Sequence, residues 1–482
     1  MRSTVIAVSA LLCLVLGGLA AVGCGGSTTT AGSVAADVAG IVPASAPVLI
    51  ALETDPESDQ WQQADELLSR FPGKERLLAE VRKGLAEEGV DLDDELVPAF
   101  GDETYIVVLD FEDSGDNVVG LTKPRDAEKL KQLIRESDNE TVTREIDGWT
   151  VMAETEAVLD RFAQAGDKLA DADWFGEAQD QVEEDALVTF FANGEPLTEA
   201  MRKSLPDDCD VSAGQGELRY AVGTITAADD GLRMRFAAKS DGAKQGVSGE
   251  SLLSEVPSGA YAYLGSPGFD TSGLGLTEQI RCALESGGIP DVEDELGVTY
   301  DEILDLFAGG LGLYLRPAAL IPEITLLLDP EDDAKSLDVL DTLAEKATDF
   351  GGRLQRTTVA GTEAREVRLG PVSILYGAND GHIAVTTARA GIEALADGGP
   401  SLADDDAFKD ATEAADMGED DQVFAYLDLR RIVDLAENIA GFAEQDLPRE
   451  VRENLEPLES LVVWGDASDP NDVEVGAFLQ IG

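Results

Sequence analysis

The chain has one histidine, His382, only four cysteines, and few aromatic residues, 6% of 482. A single histidine excludes any zinc motif that needs two. His382 lies in NDGHIAVTT, where Asn379-Asp380-Gly381 reads as a hairpin turn. It therefore reads as a surface or edge-strand residue, because a catalytic base needs a positioned nucleophile beside it. Basic residues are also scarce: 35 Lys and Arg stand against 96 Asp and Glu, a formal charge of −61. Such a surface repels polyanions, which excludes nucleic acid and makes bare anionic headgroups poor partners. The plain reading of the acidity is solubility and self-repulsion.

Motifs for chemistry are missing too. There is no Walker sequence, and GVSGE (246–250) lacks the final glycine of a nucleophile elbow. GGLGLYL (309–315) opens a strand without the third glycine or following helix of a dinucleotide site. DASDPNDVE (466–474) aligns with the ordinary turn AADDG and reads as a turn, not a calcium loop. Carboxylates are so abundant that a catalytic pair is always available and never indicated. No catalytic residue, metal or cofactor is expected. The chain is read as a non-enzyme.

The N-terminus carries positive information. One basic residue in MRST precedes an apolar run from Val5 to Val22, and GCGGSTTTAGS follows. That is the layout of an export signal. Leu19-Ala20-Ala21-Val22-Gly23 before Cys24 resembles the lipobox of bacterial lipoproteins, with Ala21 where leucine is usual. The resemblance implies a signal over 1–23, lipidation at Cys24, and a location on the outer face of the cytoplasmic membrane. An uncleaved membrane helix and plain secretion are the alternatives, since the run is about the minimum spanning length of ~18 residues. Residues 24–41 read as a flexible tether, rich in Gly, Ser, Thr and Ala. Of the other cysteines, Cys13 leaves with the signal. Cys209 and Cys282 are expected to pair in an oxidising compartment, or else to stay as two buried thiols.

The mature chain repeats itself. LADADWF (169–175) returns as LADDDAF (402–408), and VPASAPVLIAL (42–52) as VPSGAYAYLGS (256–266). GVDLDDELVPAFGDETYIVVL (89–109) returns as GVTYDEILDLFAGGLGLYLRP (297–317), and three further matches keep the same order. We expect two α+β repeats, 42–240 and 253–482. Two copies are too few for a solenoid. Within a copy, strands such as Val48–Thr54 alternate with helices at 3.6-residue spacing, and Asp147-Gly148 marks a hairpin. Hairpins outnumber strand–helix–strand crossovers. The expectation is a mainly antiparallel sheet in each half, covered on one side by helices. Asp171, Asp173, Asp404 and Asp406 are expected to cap helix starts, with Leu169/Phe175 and Leu402/Phe408 as staples. An Asp-x-Asp cation site is disfavoured, because neither echo has a mid-loop glycine. Trp61 reads as a core anchor at a helix end.

Residues 42–110 resemble a bacterial envelope family catalogued as domain-of-unknown-function family 3352. The resemblance rests on the Pro-Ala-x-Ala-Pro strand opening Pro43–Pro47, the Ser-Asp-x-Trp helix start Ser58–Trp61 and the Gly-Asp-Glu strand entry Gly101–Glu103. The later repeat lacks the last two motifs. Members of the family are secreted or lipid-anchored, so the resemblance implies location and fold but no activity. The expected function is therefore a lipid-anchored, non-catalytic binding or scaffold protein with an unknown envelope partner or ligand. A carrier of an apolar ligand or lipid, and a carboxylate-dependent hydrolase, are the alternatives.

Overall fold

The computed structural model describes residues 34–87, 89–111, 117–136, 141–182, 185–204, 216–243, 251–268, 293–318, 322–370, 372–418, 421–442 and 447–482. Eight strands lie in the first part: β1 (Val48–Glu53), β2 (Glu103–Val108), β3 (Val118–Thr122), β4 (Val142–Ile146), β5 (Trp149–Ala153), β6 (Val188–Asn193), β7 (Glu217–Ala228) and β8 (Gly231–Asp241). Ten follow: β9 (Ala262–Pro267), β10 (Gly310–Arg316), β11 (Glu323–Leu328), β12 (Arg353–Val359), β13 (Thr362–Leu369), β14 (Val372–Asn379), β15 (His382–Thr386), β16 (Gln422–Asp428), β17 (Leu458–Asp469) and β18 (Asp472–Ile481). Five helices matter below: α1 (Ala36–Ala39), α2 (Asp59–Ser69), α3 (Asp173–Gln179), α4 (Asp333–Asp349) and α5 (Asp406–Ala414).

All eighteen strands belong to one sheet, and every pairing is antiparallel. The fold is α+β. Instead of the two separate sheets expected, a single sheet runs through the β8·β18 pair. Read outward from that pair, one side is β8-β7-β6-β1-β2-β3-β5-β4. The other is β18-β17-β16-β9-β10-β11-β15-β14-β13-β12. The two orders match role for role, and the second side carries an extra hairpin.

Tight turns set the registers. Asp147-Gly148, Ala360-Gly361 and Asp380-Gly381 join adjacent strands with both residues at positive φ, the geometry of a two-residue hairpin. Glycine meets it without a Cβ clash.

Alternation then sorts side chains by face. On one face Leu49, Ala51, Tyr105, Val107, Leu121 and Phe191 form a core under α3. Tyr263, Tyr314, Leu327, Tyr426, Val462 and Phe478 form its counterpart under α5. Cover is not confined to that face. Trp61, Ala64 and Leu67 of α2 pack with Leu187, Ala227 and Ile481, and Val339 of α4 packs with Leu328 and Ile383. The physical reason is in β1, where Val48-Leu49-Ile50-Ala51-Leu52 offers apolar groups to both sides and demands two layers.

Candidate functional site

The centre of the molecule is the β8·β18 pair. Gly231 and Asp472 open these strands, and the fifth residue of each, Arg235 and Gly476, face one another. Pairing extends evenly from there to Lys239↔Asp472 and Gly231↔Gln480. This is the register two copies of one edge strand adopt about a two-fold axis. The central row reads Thr224–Arg235–Gly476–Trp464. It is symmetric in backbone and asymmetric in side chains. A Cβ on Gly476 would sit 2.5 Å from the Trp464 ring, so the small residue makes room for the large one.

Two adjoining hollows share Gly418 and Asp421, and the smaller opens over this centre. One, of about 260 Å³, has Thr224, Arg235, Trp464 and Glu474 on its floor and Gln181 and Asp416 on its walls. The walls are the segments just after α3 and α5, so they come from matching places on the two sides. The other, of about 520 Å³, lies between α5 and the start of β16. Leu253, Phe408, Met417 and Val423 supply its apolar surface, and Lys409 and Gln422 its polar one. The buried Oε1 of Gln422 meets no donor.

A second concentration of chemistry lies where β1 ends and β2 begins. Glu53 and Glu103 are cross-strand neighbours. Glu53 is 2% exposed, and burial, aided by the charges of Asp55, Glu103 and Asp102, pushes its carboxyl up to about 8. It is therefore mostly protonated at neutral pH. Its Oε1 accepts from the Asp55 N–H at 2.7 Å. Burial also raises Glu103, whose Oε2 accepts from the Tyr105 hydroxyl. Tyr105, raised by burial and then by Glu103, accepts from the Ala35 N–H at 3.3 Å. Asp37 of α1 accepts from Lys123 Nζ at 2.6 Å and from the Trp149 indole at 3.2 Å. Burial opposes its ionisation, but the Lys123 bond and charge outweigh that and hold it low. Arg125 joins Asp55 and Asp102 at the rim. A buried carboxyl beside a half-buried one is the raw material of acid–base chemistry. Here, however, the chain's own Asp55 N–H and Tyr105 hydroxyl occupy them.

The residues singled out by sequence fall as follows. Cys24, Cys209 and Cys282 lie outside the described residues. The tether expected over 24–41 needs correction at its end: residues 34–41 fold, because Val34, Val38, Ala39 and Ile41 bury their apolar side chains in the first core. Trp61 is a core anchor, 3% exposed, and its indole donates to the Glu53 carbonyl at 2.9 Å. His382 opens β15 beside the Asp380-Gly381 turn. The capping roles need correction. The residues preceding α3 and α5 are Ala172 and Asp405, and neither makes a side-chain cap. Asp173 and Asp406 are the first helical residues, and Asp171 ends a 3₁₀ turn. Asp404 alone forms a box, with Ser401, across the 3₁₀ turn before α5. The reason is that this turn already bends the chain into the helix through Ala172 N to Leu169 O and Asp405 N to Leu402 O. The echo serves packing. Leu169 and Phe175 are buried in one core, Leu402 and Phe408 in the other. Leu169 N donates to Val42 O, and Leu402 N to Val256 O.

Sequence reasoning missed Glu53, Glu103 and the Arg235–Gly476 pair. The available signal for the first two was an acid ending one apolar strand and another opening its partner. Among the described residues no three of His, Cys, Asp or Glu are grouped to hold a metal. Nor is any helix among them long and apolar enough to cross a membrane.

These features define an α+β protein built on one antiparallel sheet with a symmetric central joint. No family model matches the chain, and no curated protein matches it. Among solved structures, crystal form IV of TP0453 aligns at TM-score 0.23 and 10% identity, over 44% of this chain and 81% of that one. Crystal form I of TP0453 aligns at TM-score 0.24 and 11% identity over the same shares. Overlap that slight carries nothing across to this chain.

Proposed function

We propose that the chain is a lipid-anchored protein of the bacterial envelope, held on the outer face of the cytoplasmic membrane through Cys24. It binds or scaffolds a partner and does not catalyse. In this reading residues 42–240 and 253–482 are tandem copies of one unit. The observation that carries it is the β8·β18 joint. Its two-fold register turns two matching strand orders into one continuous sheet, on the order of 80 Å across if laid flat at ~4.8 Å per strand. A sheet of that many strands with a net charge of −61 suits presentation of surface to another molecule and resists clumping. Acyl chains at Cys24 would hold it, at about 0.8 kcal/mol per buried CH₂.

Mass spectrometry of the N-terminal peptide from membrane-extracted protein tests the anchor. An acylated Cys24 terminus is expected, and Cys24→Ala should release the chain from membranes. An intact Met1–Cys24 peptide would overturn it. A second reading, transport of a small apolar ligand, draws on the 520 Å³ hollow lined by Leu253, Phe408, Met417 and Val423. Lipid co-purifying at one molecule per chain, and lost in Phe408→Asp, would favour the carrier over the scaffold.

A further inference from the structure

The geometry points to β12 as a docking edge for an extended acidic polypeptide segment, which adds to the sheet as a further strand. This deepens the binding reading above, and rests on it, by naming the chemistry of the partner.

β12 is the last strand on its side, and among the described residues it pairs only with β13. Its seven residues present a free row of N–H and C=O groups about 23 Å long at ~3.3 Å per residue. The same edge is the exception to the protein's charge. Residues 353–368 hold four arginines and two glutamates. Arg365 is paired with Asp341 and Arg368 with Glu366. Arg353, Arg356 and Arg389 are exposed, and among the described residues none has a carboxylate partner. Arg389 is tied to the strand through Thr357 Oγ1 at 3.3 Å. In a chain with 96 carboxylates for 35 bases, two such arginines on the edge strand and a third bonded to it from a neighbouring helix stand out.

Charge on an edge strand often serves only to discourage sheet-to-sheet sticking. The opposite end of the sheet shows that arrangement in closed form. There Arg144 of β4 is held by Glu156 and Asp160 at 2.7 and 2.9 Å. β12 leaves its charges for an outside group. Arg353 and Thr357 point to one face and Arg356 to the other, by the two-residue period of a strand. An added strand therefore offers complementary carboxylates at positions i, i+3 and i+4, with backbone bonds supplying affinity. The unused backbone row favours a polypeptide over a phosphate headgroup, which has no strand to add to the ladder.

The test is fluorescence anisotropy of a labelled ten-residue Glu/Val/Thr peptide with that carboxylate spacing, titrated with the detergent-solubilised full chain. Binding is expected. It should weaken at least tenfold in R353E/R356E and more mildly in R353Q/R356Q, with K83E on a distant helix as a neutral control. A peptide N-methylated at alternate residues should also lose at least tenfold, which simple charge attraction does not predict. Circular dichroism melts confirm that the variants fold. No binding to the native chain overturns the proposal, as does equal binding by R353E/R356E or by the N-methylated peptide. So does an arginine-dependent affinity for phosphatidylglycerol vesicles with none for the peptide. The anchor reading stands or falls separately, on the N-terminal mass.

Discussion

The two sides of the β8·β18 joint share a strand order and differ in how they fill it. On the central row one side places Thr224 and Arg235, the other Trp464 and Gly476. At the ends of β1 and β9, one side sets buried Glu53 opposite half-buried Glu103 while the other sets Pro267 opposite Gly310. The backbone plan holds while the chemistry on it drifts, because the hydrogen-bond ladder ignores side-chain identity. Packing asks only that volumes add up across the row.

Breaking that compensation should have the largest effect. Trp464 is buried beside a glycine that fits only it. Trp464→Ala should cost about 3–5 kcal/mol, the usual range for emptying a large aromatic site. Thr224→Ala, at the matching place, should cost no more than about 1 kcal/mol. Urea midpoints of the two variants check this. Equal losses would mean that the row does not balance as described.

Two glutamates sharpen the contrast through pH. Glu53 has its carboxyl raised to about 8 by burial. Its contribution is fully present below the unfolded value near 4.5 and is lost as pH rises toward 8. Linkage bounds the loss at about 5 kcal/mol. Glu53→Gln keeps the neutral shape, so it should flatten that decline and stabilise the chain at pH 8 by a few kcal/mol. On the other side Glu366 is lowered to about 2 by its bond to Arg368, with Gln355 and Ser373 adding theirs. Its contribution runs the other way, being present above the unfolded value and lost as pH falls toward 2. Glu366→Gln should therefore destabilise the chain at neutral and alkaline pH, flatten the decline on the acid side, and change little near pH 2. Thermal melts from pH 3 to 9 measure both slopes.

Much of this plan is legible in the residues. Asp147-Gly148 and Asp380-Gly381 announce their hairpins because so few dipeptides accept two positive φ values. LADADWF and LADDDAF announce matching positions because buried Leu and Phe recur at fixed spacing. The joint was not legible. An edge strand facing water and one facing another strand carry the same alternating pattern, so nothing in Gly231–Asp241 says that Asp472–Ile481 lies alongside. The buried acids were hidden for a related reason, since a glutamate ending an apolar run looks like an ordinary exit to solvent. Three of the four aspartates misled because a backbone turn does the work that a side-chain cap does elsewhere, while Asp404 does cap, one turn earlier than expected. The outer cover was missed because the period of α2 shows an apolar stripe without saying which face of the sheet receives it.

Cross-ties between the sides give smaller effects. Arg70, at the end of α2, donates to the carbonyls of Asp229 and Ile481, one on each side of the joint. Within the first side, Gln60 and Gln63 hold α2 to the end of β7 by donating to Ala227 and Ala228. Arg70→Ala should cost about 1–2 kcal/mol, the range for hydrogen bonds from a charged donor at a partly wet site. Hydrogen exchange should show the opening concentrated at the ends of β7 and β18.

The least should come from the tie that looks strongest. Lys239 Nζ sits 2.6 Å from Asp472 across the joint, but the side chains are 32% and 44% exposed. Water screens the pair and ordering two side chains costs entropy, so Lys239→Ala should change stability by less than about 1 kcal/mol. The joint is instead held by nine residue pairs from Asp472↔Lys239 to Gln480↔Gly231 and by the apolar cores on its two faces. High salt, which weakens exposed ion pairs, should therefore leave the urea midpoint of the native chain nearly where the variant's lies. A salt-sensitive gap of several kcal/mol between them would mean that charge, and not the ladder, fastens the two sides.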